Sequence, residues 1–386
     1  MEMVDVISEF KPVVGISMRA QIEKYLRKLI ADGRLSAGTK LPPTQELANA
    51  WGTHAPTIHL AMTALAKEGL VERLMHRGTY VRGASNHLRK VALYISRGRR
   101  YTHNFVGYLM QALEAQLAQR GIRSEPWINR QPDSLAEQPW NNLEQAAKRD
   151  EIQGVIVAVI DVREAAWLAK LSVPVVFLAS EPLSNRVTMS MDDALDDAMA
   201  SVAAQGCRSI GMINVDARTT ENDAGEHYEV AAFYEKFSEF AGRHGLAVRS
   251  EWIQSPPVDV GEQAAAKFGY ESFHKLWNQA KKPEAIFVHT DVAAQGVLIA
   301  LGQRRVRVPE DLHLVLHRNA ELGLFCPVPA SFIDMSVQDV AAALVDRLEK
   351  LRRGEAVESP VKVAARFVAV DDGYTARADL STAAAG

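Results

Sequence analysis

The sequence predicts a small α+β head followed by a larger α/β body built as two lobes. Three observations carry this expectation. Residues 11–83 show helix-spaced apolar positions broken by Gly/Pro turns and closed by a short alternating stretch. Beyond residue 90, short apolar β-branched runs alternate with amphipathic segments, as in a parallel sheet covered on both faces. The roughly 280 residues that follow are too many for one typical doubly wound sheet, so two similar lobes are expected.

The elements follow in order. "ISMRAQIEKYLRKLIADGRL" places Ile16, Ile22, Leu26 and Ile30 near helical spacing, and Gly33 ends the helix. "SAGTKLPPTQELANAWG" gives a Gly/Pro turn and a short helix, with Thr44 expected to cap it and Gly52 to close it. A second helix is predicted from Pro56 to Gly69, with Ile58, Met62, Leu65 and Ala66 on one face. Pro56 suits a first turn, where its missing N–H would be unbonded anyway and its fixed φ is already helical. Thr53 or His54 is the expected cap. "LVERLMHRGTYVRG" alternates around a turn and reads as a hairpin. The polar "ASNHLRK" at 84–90 reads as a linker. Strands are predicted at 91–96, 154–160, 173–180, 209–215, 284–290 and 312–317. An amphipathic helix spans 105–120, with Phe105, Leu109, Met110, Leu113 and Leu117 on one stripe. Residues 376–386 read as a tail.

Composition narrows the function classes. The 386 residues are 47% hydrophobic and 24% charged, which is ordinary for a globular protein. Only Cys207 and Cys326 are present, without a C-x-x-C, so neither a disulfide framework nor structural zinc is expected. No run approaches the ~20 apolar residues of a membrane span, and the acidic start does not resemble a signal peptide. A cytoplasmic location is expected. The net charge of −3 is unevenly spread: residues 1–86 hold 11 Lys+Arg against 8 Asp+Glu, and the rest 33 against 39. A mildly basic head on an acidic body is the asymmetry expected when only the head meets phosphate.

The head resembles the winged helix-turn-helix domain of GntR-type bacterial regulators. The resemblance rests on Gly33, Gly38, Leu41-Pro42, Leu47-Ala48, Gly52, Thr57, Ala61, Leu65, Gly69-Leu70 and Arg77-Gly78-Thr79. It implies DNA contact through Thr44, Gln45, His54, Thr57, His59, His76, Arg77 and Gly78. The chain departs from the family where arginines usually stand, at Ala55 and His59. Base contact is therefore expected from Thr57 and His59, and phosphate contact from the helix start and wing. The head is expected to need a dimer for useful affinity, since each neutralised phosphate adds counterion release.

The body resembles the two-lobed, periplasmic-binding-protein-like effector domain of LacI-type regulators. The carriers are "VALYIS", "IQGVIVAVI", "VPVVFLAS", "GCRSIGMI" and above all residues 283–316, with Asp291, Ala293, Gly296 and Val308-Pro309-Glu310-Asp311 in family order. The implied fold is a winged helix-turn-helix domain at 11–83, a linker at 84–90 and a two-lobed α/β effector and dimerisation domain at 91–375. Three crossings would divide the latter into an N-lobe (about 90–183 and 330–354) and a C-lobe (about 184–329 and 355–375). The resemblance implies an effector between the lobes, at the carboxyl ends of the strands. It would contact Thr102, His103, Asn104, Phe105, Ser180, Glu229, Trp252, Asp291, Arg318, Asn319 and Met335. Ala179, Glu229 and Arg318 replace the charged groups with which sugar-binding relatives hold hydroxyls. Arg97, Arg99 and Arg100 offer a minority alternative, an anionic effector. Glu221, Asp223, Glu226, His227 and Glu229 crowd together, but a solvated loop is preferred to a metal site.

The expected protein is a homodimeric regulator of transcription. It binds operator DNA and a small carbohydrate-like effector, and needs no cofactor, metal or catalysis. Two alternatives stand: a DNA-binding protein whose cleft has decayed, and a cofactor-dependent enzyme fused to a DNA-binding head.

Overall fold

A computed structural model describes residues 9–13, 15, 17–31, 34–36, 38–68, 70–74, 77–81, 88–96, 104–159, 161–180, 182–215, 219–221, 227–229, 231–257, 262–356 and 360–370. In the head, the helix-spaced apolar residues converge on one core. Helix α1 (Met18–Ala31) buries Ile22, Leu26 and Leu29. Helix α2 (Thr44–Ala50) buries Leu47 and Ala48, and α3 (Ala55–Lys67) buries Ile58, Ala61, Met62 and Leu65. They close over Trp51, Val71 and Val81. Strands β1 (Lys40–Leu41), β2 (Val71–Leu74) and β3 (Gly78–Val81) form an antiparallel sheet in the order β1-β3-β2. Gly78 opens β3 opposite Leu74, where the chain leaves the hairpin turn, and only glycine adopts its φ of 114° without strain. Thr44 does not cap α2. Pro43 holds the cap position and its carbonyl accepts the Leu47 N–H at 3.1 Å, so Thr44 already lies inside the helix. His54 caps α3 through its carbonyl, which accepts from Thr57 at 2.9 Å, without a side-chain bond.

The body holds two six-stranded sheets. The first comprises β4 (Lys90–Ile95), β5 (Arg123–Ile128), β6 (Gly154–Val159), β7 (Val175–Leu178), β8 (Arg186–Ser190) and β16 (Val361–Ala364). All its pairings are parallel, in the order β16-β8-β7-β6-β4-β5. The second comprises β9 (Ile210–Asn214), β12 (Ile253–Gln254), β13 (Ala285–His289), β14 (His313–Asn319), β15 (Ser331–Met335) and β17 (Arg366–Val368). Its order is β12-β9-β13-β14-β15-β17, with only β17 antiparallel to its neighbour. A separate hairpin pairs β10 (Thr219–Glu221) with β11 (His227–Glu229). Central strands β4, β9 and β13 are buried almost throughout, which is why they read as continuous apolar runs.

The lobe boundaries differ from the sequence expectation at three places. Residues 186–190, placed in the C-lobe, extend the first sheet beside β7 and bury Val187 fully. Residues 331–335, placed in the N-lobe, pair with β14 in the second sheet. Residues 361–364, placed in the C-lobe, pair with β8 in the first. The physical reason is the same each time: a short strand joins whichever sheet offers an open hydrogen-bonding edge, and its own pattern does not name that sheet. The chain thus passes between sheets between β8 and α7 (Asp192–Ala204), between β15 and α11 (Val337–Arg352), and between β16 and β17. One apolar cluster runs through both lobes, joining Leu113, Ile156 and Leu344 to Met212, Phe287 and Ile333.

In the second lobe, α9 (Glu262–Trp277) and α10 (Asp291–Arg304) meet backbone to backbone. A Cβ built on Gly296 would stand 1.8 Å from the Ala266 carbonyl oxygen, and one on Gly269 2.2 Å from that of Ala293. Glycine is required by this close approach. Among the described residues no helix is long and apolar enough to cross a membrane.

Candidate functional site

A helix that packs Ile58, Ala61, Met62 and Leu65 inward turns the opposite stripe outward. On α3 that stripe carries exposed Pro56, Leu60 and Lys67, flanked by exposed His59 and half-buried Thr57 and Thr63. Leu60 is 51% exposed, unusual for a leucine amid an ordered helix face. Gln45 is exposed on α2 and bonds Asn49 at 3.2 Å. His54, Arg77 and Gly78 are exposed, Thr44 is half-buried, and His76 lies outside the described residues. At the wing, the Tyr80 hydroxyl donates to the Arg77 carbonyl at 3.2 Å, which fixes the turn.

One residue of this face escaped sequence reasoning. Arg73, on β2, reaches α3: its Nη2 lies 3.2 Å from His59 Nδ1, and its Nη1 3.4 Å from His59 Nε2 and from Thr63 Oγ1. Thr63 in turn donates to the His59 carbonyl at 2.7 Å. Strand alternation was the available signal. It puts Arg73 on the same side of β2 as buried Val71, the side that looks toward the helices. The head's other described arginines divide sharply. Arg19 pairs with Glu23 at 2.7 Å, Arg27 with Glu68 at 2.9 Å and Arg34 with Glu9 at 2.6 Å. Among the described residues, Arg73 and Arg77 face no carboxylate within ion-pair distance.

In the body, polar side chains gather at the carboxyl ends of both sheets. In the first, Glu164 of α6 (Val162–Leu168) is 1% exposed beneath the ends of β4 and β5. It accepts from Ser96 Oγ at 2.5 Å, Tyr94 Oη at 2.8 Å and Asn129 Nδ2 at 2.8 Å. Burial pushes its carboxyl above the usual range, and these three bonds only partly offset that. Ser180 is exposed just after β7, and half-buried Phe105 opens α4 (Asn104–Gln119).

In the second sheet, the side chains of Asn214, His289 and His317 meet at the ends of β9, β13 and β14. His289 Nδ1 lies 2.9 Å from Asn214 Oδ1, and the two imidazoles stand 5.0 Å apart, edge to face. The Phe233 ring is 5.9 Å from His289. Thr290 caps α10 through its hydroxyl, which accepts from Ala293 N–H at 3.3 Å. Asp291, the first residue of α10, accepts from Asn319 Nδ2 at 2.9 Å. Asn319 in turn pairs in register with Met335. Glu321 accepts from the Ser336 hydroxyl at 2.6 Å and the Val337 N–H at 2.9 Å, so it holds the start of α11 beside that group.

The expected effector residues therefore separate. Asp291, Asn319 and Met335 come together. Arg318 stands beside them but is committed within the sheet: it forks onto Asp334 at 2.7 and 2.9 Å, and its guanidinium lies 3.9 Å over the Phe332 ring. Trp252 is misplaced by the sequence reading. It precedes β12, is 4% exposed, and its Nε1 donates at 3.0 Å to the Lys281 carbonyl, ahead of β13. That is the amino end of the parallel strands, the opposite end from Asp291; the tryptophan is core there. Thr102 and His103, the side chains of Asn104 and Glu229, and Arg97, Arg99 and Arg100 lie outside the described residues, as do the side chains of the acidic group at 221–229. Asn214, His289 and His317 were missed, because neither histidine nor asparagine at a strand end forms a motif. Among the described residues no three His, Cys, Asp or Glu side chains are grouped to hold a metal ion.

Comparison with known proteins gives two domain matches. Residues 18–81 match the family "Bacterial regulatory proteins, gntR family", and residues 200–369 match "Periplasmic binding protein-like domain". Catabolite control protein A of Priestia megaterium is 28% identical over 216 residues, 55% of this chain and 61% of that protein. The chain thus spans about three-fifths of that relative's length. The HTH-type transcriptional repressor PurR of Glaesserella parasuis serovar 5 is 27% identical over 263 residues, 64% of this chain and 72% of the relative. Among solved structures, a lac repressor dimer bound to operator and the anti-inducer ONPF aligns with a TM-score of 0.57 and 18% identity. That alignment covers 74% of this chain and 94% of the other. A LacI family transcription regulator from Clostridium acetobutylicum aligns at 0.56 and 20% identity, over 73% of this chain and all of the other. These structural likenesses bear on the fold.

Proposed function

From a chain that joins a gntR-type regulatory head at 18–81 to a periplasmic binding protein-like domain at 200–369, we propose a transcription regulator that binds operator DNA and answers to a small effector. The head, at 11–83, enters the major groove with α3. The body, at 91–375, takes a carbohydrate-like ligand where the strands end, and the linker at 84–90 passes its state to paired heads. The regulator works as a homodimer on a pseudo-palindromic site, in the cytoplasm, without catalysis or cofactor. Movement of one lobe against the other changes DNA affinity by a coupling free energy.

The observation that carries this reading is the outward face of α3, where carboxylate-free Arg73 stands beside an exposed helix stripe, with Arg77 exposed at the hairpin turn, while the other described head arginines are neutralised. The test is an electrophoretic mobility shift on duplexes from the region upstream of the protein's own coding sequence, with and without a panel of sugars. Shifted bands that a sugar strengthens or abolishes support it. No retention of any upstream duplex at low salt refutes DNA regulation. Retention that no sugar alters favours a decayed cleft, a reading that the commitment of Arg318 to Asp334 supports.

A further inference from the structure

We propose that the head reads a guanine with Arg73 of β2, and that His59 of α3 positions this arginine rather than touching a base itself. The inference rests on the DNA-binding reading and changes which residue carries sequence information. Along α3 there is no lysine or arginine before Lys67 at its last position. A helix seated in the groove through Pro56, Leu60 and Thr63 therefore lacks a cation of its own at its centre. β2 supplies one. The Arg73 guanidinium lies across the His59 ring, each terminal nitrogen against a different ring nitrogen, with Thr63 Oγ1 beside one of them.

An imidazole offers at most one acceptor nitrogen, so His59 engages only part of a group with five N–H donors in a fixed fork. Among the described residues no carboxylate claims the rest. An arginine held in plane by a ring and a hydroxyl, on a solvent-facing surface, is preorganised for a planar pair of acceptors. In the major groove that pair is O6 and N7 of guanine. A phosphate offers acceptors too, but it gives no reward for holding the plane fixed. Leu60, 51% exposed on the same face, suits a neighbouring thymine methyl. His59 cannot serve as reader and brace together, because the ring nitrogens a base would need lie against Arg73.

The test uses the full chain and a pool of duplexes with a randomised core. The wild type is expected to enrich a motif with one fixed guanine per half-site. R73A should lose preference at that position by roughly 5- to 150-fold, the discrimination of one bidentate pair, and R73K should lose it as well. H59A should lose preference at the same position, and H59Q, which retains an acceptor, should recover part of it. Uniform weakening in R73A that R73K restores would show a phosphate contact and overturn the proposal. So would an unchanged motif in R73A. H59A losing preference at a different position, or nowhere, overturns the bracing role. A wild type that enriches no sequence refutes DNA reading by the head altogether, which is a separate result from any behaviour of the variants.

Discussion

Gly296→Ala adds one methyl where α10 meets α9. Its Cβ would stand 1.8 Å from the Ala266 carbonyl oxygen and 2.8 Å from the Tyr270 nitrogen. A carbon needs about 3.3 Å from a carbonyl oxygen, so α9 must retreat by roughly 1.5 Å. Backbone cannot step aside as a flexible side chain does. Overpacking of this kind costs about 1–3 kcal/mol and sometimes more. The retreat also thins the dispersion contacts along the seam, where a gap of 0.5–1 Å already loses a quarter to a half of each. Rigid backbone puts the cost at the upper end of that range, and alanine returns about 1 kcal/mol of helix propensity, so steric cost wins and the net loss is about 2 kcal/mol before the thinned dispersion contacts are added. At ~2–4 °C per kcal/mol for a body of this size, Tm should fall by about 4–8 °C, and further with that added loss. Gly302→Ala is the internal control: it lies on the same helix, with nothing within 4 Å of a built Cβ. It should gain up to ~1 kcal/mol. Circular-dichroism melts of both variants beside the wild type decide the matter. A G296A melt at or above the wild type, or both variants shifting the same way, would refute the reasoning. Because Asp291 and Thr290 sit at the first turn of α10, G296A should also weaken any ligand bound there.

Four further outcomes are expected. Glu164→Leu takes an acceptor from Ser96, Tyr94 and Asn129; at ~1–3 kcal/mol per buried donor that loses its partner, urea unfolding should show a loss of about 3–5 kcal/mol, and one under about 1 kcal/mol would contradict the network. Burial holds the Glu164 carboxyl above its ordinary value, so the folded state keeps its proton longer and this group's contribution to stability falls as pH rises from the ordinary carboxylate range through the raised value; E164Q should flatten that slope. The Arg307 side chain and backbone N–H hold the Asp311 carboxyl down at about 2, so its contribution is present above the ordinary carboxylate value and lost as pH falls through about 2; in R307A, carbon-detected NMR titration should raise Asp311 only part of the way to the ordinary ~3.9, because the backbone N–H still donates. Cys207 and Cys326 are buried, and burial pushes both thiols up, so a disulfide-exchange reagent should label them slowly in the native chain and fully in denaturant; reaction of both within the mixing time would contradict the fold.

What the sequence disclosed follows from how local the signals are. Helix α3 was legible because Ile58, Met62 and Leu65 repeat at helical spacing and Pro56 stands where a first turn tolerates it. The predicted strands at 91–96, 209–215 and 284–290 were legible because burial on both faces leaves no room for polar residues. Strand β5 was not, since its residues are exposed or half-buried on the sheet edge without a regular alternation and mix Arg123 and Glu125 with Trp127. Nor could pattern say that 331–335 belongs beside 313–319, because that depends on which edge stands open after everything else has folded. The sites show the same limit. Asp291 and Asn319, which bond each other, were named together through a family's order of residues. Arg73 and His289 were not, for each meets its partner across 14 and 75 residues of sequence.

The threefold passage between sheets has a consequence for how the chain is made. Head residues through Val81 can close their core as soon as they leave the ribosome, because every member of that cluster has by then been synthesised. The first sheet has no such freedom. Its strand β8 waits for β16, whose residues pair with it across 174 positions of sequence, Val187 with Val361. At ~5–20 residues per second, the edge of the lobe begun first stays open for roughly 10–35 s, through the birth of all but the last strand of the other lobe. A backbone edge bare for that long invites pairing with a nascent neighbour, and two copies emerging side by side from one message would meet in that interval.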